Sequence, residues 1–115
     1  MKLKTIQEII STSEKNQLYH NLINQLKKDF MRANIEIVIP ENTQPNQLIK
    51  TLQEAILNII QNQFSDYLNL LYIIDISEDK IKQLEVSDMT QLSEQVTFLV
   101  LKRVWRKVWF KKNYS

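Results

Sequence analysis

Apolar residues recur three and four positions apart along most of this chain, which is the spacing of one face of an α-helix. The clearest run follows Pro45, a residue that suits the first turn of a helix because its missing N–H needs no partner there. The pattern predicts a helix that continues to about Phe64. Its apolar face is formed by Leu48, Leu52, Ala55, Ile56, Ile59 and Ile60.

Capping boxes indicate where the first helices begin, because a hydroxyl and a glutamate three residues later satisfy free backbone N–H groups. Thr5–Glu8 fits this pattern and predicts at most two helical turns, through Ile10. Ser11–Glu14 fits it too and predicts a longer helix to about Ala33, with Asn34 as its stop. The apolar positions of that longer helix are Tyr19, Leu22, Ile23, Leu26, Phe30 and Ala33.

Three further starts follow in the second half of the chain. Ser65 and Asp66 predict a shorter helix after the Pro45 helix, and Ser77 predicts a short helix that ends near Leu84. Asp88–Gln91 is another capping box, and it predicts a last helix over about 89–112.

The segment 35–39 is the one stretch that resembles a β-strand, since it is β-branched and partly alternating. One interpretation is an extended linker that lays isoleucines onto the helices. The other is a minor edge strand, paired either with 70–76 or with a second copy of the chain.

The last helix has two halves of different character. Its first half is apolar nearly all round and should lie in the middle of the bundle. Its second half has an apolar stripe that includes Trp105 and Trp109, and a basic face opposite. We take that basic face, formed by Lys102, Arg103, Arg106, Lys107 and Lys111, as the candidate anion-binding surface. Phe110 and Tyr114 lie among these cations, away from the stripe, and are the candidate aromatic contacts.

Charge is unevenly distributed along the chain. Residues 1–94 hold nine basic and thirteen acidic residues, whereas 95–115 hold six basic and no acidic ones, so the two parts have net charges of −4 and +6. Such an asymmetry indicates either an internal electrostatic match or a surface offered to an anionic partner. Candidates for the internal match are Asp75, Glu78, Asp79, Glu85 and Asp88.

Composition excludes several classes of site. The chain has no glycine, so it can form neither a phosphate-binding glycine loop nor a dinucleotide fingerprint. It has no cysteine and a single histidine, His20, so we expect no metal site, no cofactor, no catalytic residue and no small-molecule substrate. No signal peptide or membrane-spanning run is visible, and we expect a cytoplasmic protein.

Two stretches, Asp66–Tyr72 and Leu101–Phe110, resemble small bacterial helical proteins of unknown function. The similarity extends over most of the chain beyond residue 15. It implies a bacterial cytoplasmic protein and brings no activity with it.

The sequence therefore predicts a single all-α domain over residues 1–115, a bundle of about four main helices plus short pieces with the last helix central. We expect a non-enzymatic interaction module that binds itself or another protein, because leftover apolar surface marks interfaces. The alternative is nucleic-acid binding through the basic face. Peripheral attachment to an anionic membrane is a third hypothesis and the least favoured.

Overall fold

The computed structural model describes residues 3–114 and contains six helices in that range. They are α1 (Ile6–Lys15), α2 (Tyr19–Arg32), α3 (Pro45–Asn62), α4 (Phe64–Ile74), α5 (Glu78–Lys82) and α6 (Met89–Tyr114). No strand occurs among the described residues. The prediction of an all-α helical bundle is thus confirmed.

The start of α2 was predicted wrongly. The Ser11–Glu14 box lies inside α1, which begins where Thr5 Oγ1 accepts a hydrogen bond from the Glu8 N–H (3.1 Å) and continues to Lys15. Ser13 is buried, and its hydroxyl donates to the Ile10 carbonyl at 2.7 Å. Ser11, the residue expected to cap the second helix, lies exposed in the middle of α1, so the pattern does not begin a helix there.

Three helices end in the same way without glycine. Gln17, Asn34 and Asp75 have positive φ angles of 59°, 62° and 71°. After each of them, the next N–H bonds to a carbonyl five residues back, which is the Schellman arrangement. The residue that donates this bond is aliphatic and buried in every case: Leu18, Ile35 and Ile76. Its burial helps offset the roughly 1–2 kcal/mol that a left-handed residue with a Cβ costs.

The segment 35–39 is an extended linker, the first of the two interpretations. Ile35 and Ile39 are buried in the core, while Val38 is exposed. The proposed strand partner at 70–76 is mostly helical, because α4 continues to Ile74. The alternation of this segment therefore reflects which side chains meet the bundle, and a sheet is not formed within it.

Helix α6 lies in the middle of the bundle, as predicted, and packs most extensively against α3 and also against α1, α2 and α4. Trp105 is fully buried on it. Two polar residues of its buried side, Ser93 and Thr97, donate their hydroxyls to backbone carbonyls of the same helix at 2.7 Å.

Helix starts at Pro45, Ser77 and Asp88 agree with the predictions, and the Asp88 carboxylate accepts from the Gln91 N–H at 2.8 Å.

Two tyrosines in the bundle differ in whether their hydroxyl groups are hydrogen-bonded. The Tyr19 hydroxyl donates to the Thr43 carbonyl at 2.7 Å. The Tyr67 hydroxyl is buried and has no hydrogen-bond partner. Burial raises the pKa of both phenols, and the charge of Glu14 contributes at Tyr19.

Replacing each tyrosine by phenylalanine should therefore have opposite effects. We expect Tyr67→Phe to stabilise the fold by about 1 kcal/mol, since it removes an unsatisfied buried group, and Tyr19→Phe to destabilise it by about 1 kcal/mol. Urea unfolding followed by circular dichroism at pH 8 measures both changes. A destabilised Tyr67→Phe variant would show that the Tyr67 hydroxyl does have a hydrogen-bond partner.

The same variant should change the alkaline limit of stability. The raised pKa means that the folded state holds the Tyr67 proton more tightly than the unfolded state does. The wild type therefore keeps its full stability below about pH 10, the pKa of an unfolded tyrosine. It loses stability as the pH rises from there through the pKa of Tyr67 in the folded state. We therefore expect the advantage of Tyr67→Phe over the wild type to grow between pH 8 and pH 10.5.

Candidate functional site on the last helix

The basic face of α6 is partly paired within the fold. Arg103 donates from its guanidinium to the Asp75 carboxylate at 3.2 Å; the Asp75 side chain is 80% exposed and that of Arg103 is partly exposed. A pair of this kind contributes at most about 1 kcal/mol. It marks where the end of α4 meets α6, because Asp75 is the left-handed residue that terminates α4.

A second pair lies deeper. The Lys107 ammonium lies 3.1 Å from the Asp29 carboxylate and 3.3 Å from the Ile73 carbonyl, and Asp29 has no exposed side-chain surface. Gln25 completes the arrangement: its amide N–H donates to Asp29 at 3.0 Å, and its carbonyl accepts from Lys111 at 2.9 Å. Two of the five predicted anion-binding residues therefore hold α6 against α2 and α4.

Sequence reasoning missed Asp29. Of the five carboxylates named as neutralising candidates, Asp75 is the one that forms an ion pair within residues 3–114. The signal that could have found Asp29 is its position seven residues after Leu22 and four before Ala33, on the apolar side of α2. A carboxylate at a core position requires a cation from another element, because an isolated buried charge is too costly.

The remaining cations point outward. Lys102, Arg106 and Lys112 lie within 4 Å of no carboxylate in the described part of the chain, and the Lys102 ammonium lies 5.6 Å from the centre of the Phe98 ring. Of these three, Lys112 alone lines an open polar cleft of about 520 Å³ that separates α2 from the end of α6. No acidic side chain lines it; its walls are Asn21, Asn24, Gln25, Lys28, Val108, Lys111 and Lys112.

The two predicted aromatic contacts form an exposed cluster. Phe110 and Tyr114 are 61% and 69% exposed, and their ring centres lie 4.7 Å apart. Half-buried Trp109 lies against both, at 6.3 and 6.0 Å. Trp105 is buried, so insertion of this helix into a membrane surface would depend mainly on Phe110.

A second exposed apolar surface lies on α4, and sequence reasoning did not identify it. Phe64, Leu68 and Tyr72 are 57%, 39% and 81% exposed and recur every four residues, so they form one line along the helix. We refer to these three residues as the α4 stripe. The sequence does indicate this surface, because α4 has apolar residues on more of its circumference than packing on the core requires.

No cluster of three or more histidine, cysteine, aspartate or glutamate side chains suited to a metal ion occurs within residues 3–114. None of the helices in that range is long and apolar enough to cross a membrane.

No family model, curated protein sequence or solved structure matches this chain. The resemblance to small bacterial helical proteins therefore stays a prediction.

The Lys107–Asp29 pair gives a direct test of the buried network. Lys107→Met should destabilise the fold by about 2–3 kcal/mol, because it leaves a buried carboxylate without its counter-charge. Lys112→Met, a matched change at an exposed lysine, should change the free energy of unfolding by less than about 0.5 kcal/mol. In an Asp29→Asn background, the cost of Lys107→Met should fall below about 1 kcal/mol. Urea unfolding at pH 7 measures all three; an equal cost in both backgrounds would show that the contribution of the Lys107 ammonium does not depend on the charge of Asp29.

Proposed function

We propose that this protein is a small non-enzymatic interaction module that binds a second copy of itself or another protein. The observation that supports this best is the exposed pairing of Phe110 with Tyr114 at the end of α6. Aromatic side chains are enriched at the centres of protein interfaces, where each can bury a large area at a low cost in side-chain entropy. Leaving two of them in water costs free energy that an interface would recover.

The core does not need these two residues. Trp105 closes the bundle around the middle of α6, and Val108 is the last buried residue of that helix. Phe110 and Tyr114 pack only on each other and on Trp109 among the aromatic rings of the described chain. A partner that covers them is the simplest reason for their presence.

The charges favour a protein partner over a polyanion. Arg103 and Lys107 already have carboxylate partners, and Lys111 is held by Gln25, so the basic face offers fewer available cations than its sequence suggests. The lack of cysteine and the single histidine support a non-enzymatic role. Together with the resemblance to small bacterial proteins, the lack of cysteine also supports placing the module in a bacterial cytoplasm.

Photo-crosslinking in the cells that produce the protein tests this proposal. A benzophenone amino acid in place of Phe110 should give a covalent adduct, either at twice the 13.8 kDa chain mass or with another protein. The same group in place of Lys50, an exposed residue on α3, is the matched control and should give none. Equal labelling at both positions, or none at either, would contradict an interface at the end of α6.

Nucleic-acid binding is the second candidate, and the polar cleft beside α6 favours it. Three lysines and no carboxylate line that cleft, and Arg106 is exposed on the same helix. Phosphates could enter it, with Phe110 or Tyr114 available to stack on a base.

Fluorescence anisotropy with a labelled mixed-sequence duplex tests this candidate. Three phosphate contacts should give a slope of about −2.7 for log affinity against log salt. The double variant Lys28→Glu with Lys112→Glu should abolish binding, whereas Lys50→Glu should leave it unchanged. Absence of binding at low salt would eliminate the candidate.

A further inference from the structure

The α4 stripe runs directly into an acidic segment. Its last residue, Tyr72, is followed one turn later by Asp75 and then by Glu78 and Asp79, all exposed. Lys80 and Lys82 follow in α5, but neither lies within 4 Å of these carboxylates. This surface is therefore apolar at one end and acidic at the other.

The outer side of α6 has the same order with the opposite charge. Arg103 and Arg106 come first, and Phe110 and Tyr114 follow. At 100° per residue, these four positions fall within an arc of about 80°. This surface is basic at one end and aromatic at the other.

The two surfaces meet at their charged ends. Asp75 contacts Arg103 at 3.2 Å, and the Ile73 carbonyl accepts from Lys107 at 3.3 Å. Residue numbers thus fall along α4 in the direction in which they rise along α6, so the two helices run antiparallel here. The acidic and basic ends are neighbours, and both apolar ends extend from them in the same direction.

We propose that the partner is a second copy of this chain, docked so that the α4 stripe of each copy packs on Phe110 and Tyr114 of the other. A twofold axis that runs along the two helices, between α4 and α6, brings each surface opposite its complement. Acidic ends then face basic ends, and apolar ends face aromatic ends. The contact is isologous and closes at two copies. This inference rests on the proposed function and identifies the partner.

Charge complementarity is what favours a second copy. Within residues 3–114, Glu78, Asp79 and Arg106 lie within 4 Å of no opposite charge. In the twofold arrangement, Arg106 of each copy would face Glu78 and Asp79 of the other, so both copies gain the pairs that each lacks alone. An unrelated partner would have to supply this pattern separately.

The apolar area is also of the right size. The exposed parts of Phe64, Leu68, Tyr72, Phe110 and Tyr114 amount to on the order of 500 Å². A standard interface buries about 800 Å² on each partner, and the chain exposes 7260 Å² in all. These five side chains with their charged neighbours would therefore supply most of an ordinary dimer interface.

Sedimentation velocity of the purified chain between 1 and 500 µM tests the proposal. We expect a dimer of twice the 13.8 kDa chain mass that dissociates on dilution. Tyr72→Ser and Phe110→Ser should each raise the dissociation constant at least tenfold, since each truncates an apolar contact. Lys50→Glu, a change at an exposed position on α3, should leave it unchanged. Circular dichroism of each variant confirms that the helices are retained.

Charge reversal gives the sharper test. Arg106→Glu alone and Asp79→Arg alone should each weaken the homodimer at least tenfold, because each places like charges face to face. A mixture of the two variants should dimerise like the wild type, because the heterodimer pairs the two new charges in one contact and the two native charges in the other. The rescue depends on the partner, so loss of folding cannot mimic it.

Each result has one meaning. A chain that stays monomeric at 500 µM, a dimer that none of the variants weakens, or a mixture without rescue would overturn this inference. If the benzophenone at position 110 still gives an adduct with a different protein, the proposed interaction module stands and its partner is not a second copy. If both experiments fail, the proposed function fails as well.

Discussion

The structure depends on one buried carboxylate. Asp29 has no exposed side-chain surface, and a carboxylate in that position is tolerated only with a counter-charge and hydrogen bonds. Lys107 and Gln25 supply these, and Lys111 holds Gln25 in turn. Because Gln25 and Asp29 are four residues apart, as are Lys107 and Lys111, the two pairs match one turn of α2 to one turn of an antiparallel α6. The network therefore fixes how far α6 is rotated and where it lies along α2.

That rotation decides which residues of α6 face water. With Lys107 turned inward, Phe110 lies about 60° and Arg106 about 100° round the helix from it, on the solvent side. The continuous basic face that the sequence suggests is thus divided into two parts with different roles. Lys107 and Lys111 hold the bundle together, whereas Lys102 and Arg106 remain on its surface. The apolar side of α6, with Trp105 fully buried on it, favours the same rotation, so the charged network and the core agree on which residues face water.

Local chemistry made most helix boundaries predictable, and tertiary contacts explain the exceptions. Ser77 and Asp88 begin helices because their side chains accept from the N–H of the residue three positions later, and Pro45 does so because it has no N–H to satisfy. Ser11 has the same pattern but lies inside α1, and only the packed fold shows this. The exposed position of Phe110 was predictable from helical periodicity. The partner of Lys107 was not, because Asp29 is 78 residues away in the chain.

Because the chain has no glycine, residues with side chains occupy the left-handed positions at its helix ends, and one of these side chains also contacts α6. Asn34 was predictable as a left-handed stop because asparagine tolerates that conformation, and aspartate at position 75 shares this tolerance, whereas nothing in the type of Gln17 marks it. What the three ends share is the buried aliphatic residue that follows, and it selects the left-handed turn by anchoring the chain in the core. At Asp75 the turn does more, because a glycine there would end α4 equally well but could not contact Arg103. The side chain that strains the backbone is therefore also the one that joins the α4 surface to the α6 surface, so the same residue terminates a helix and sets two candidate contact surfaces side by side.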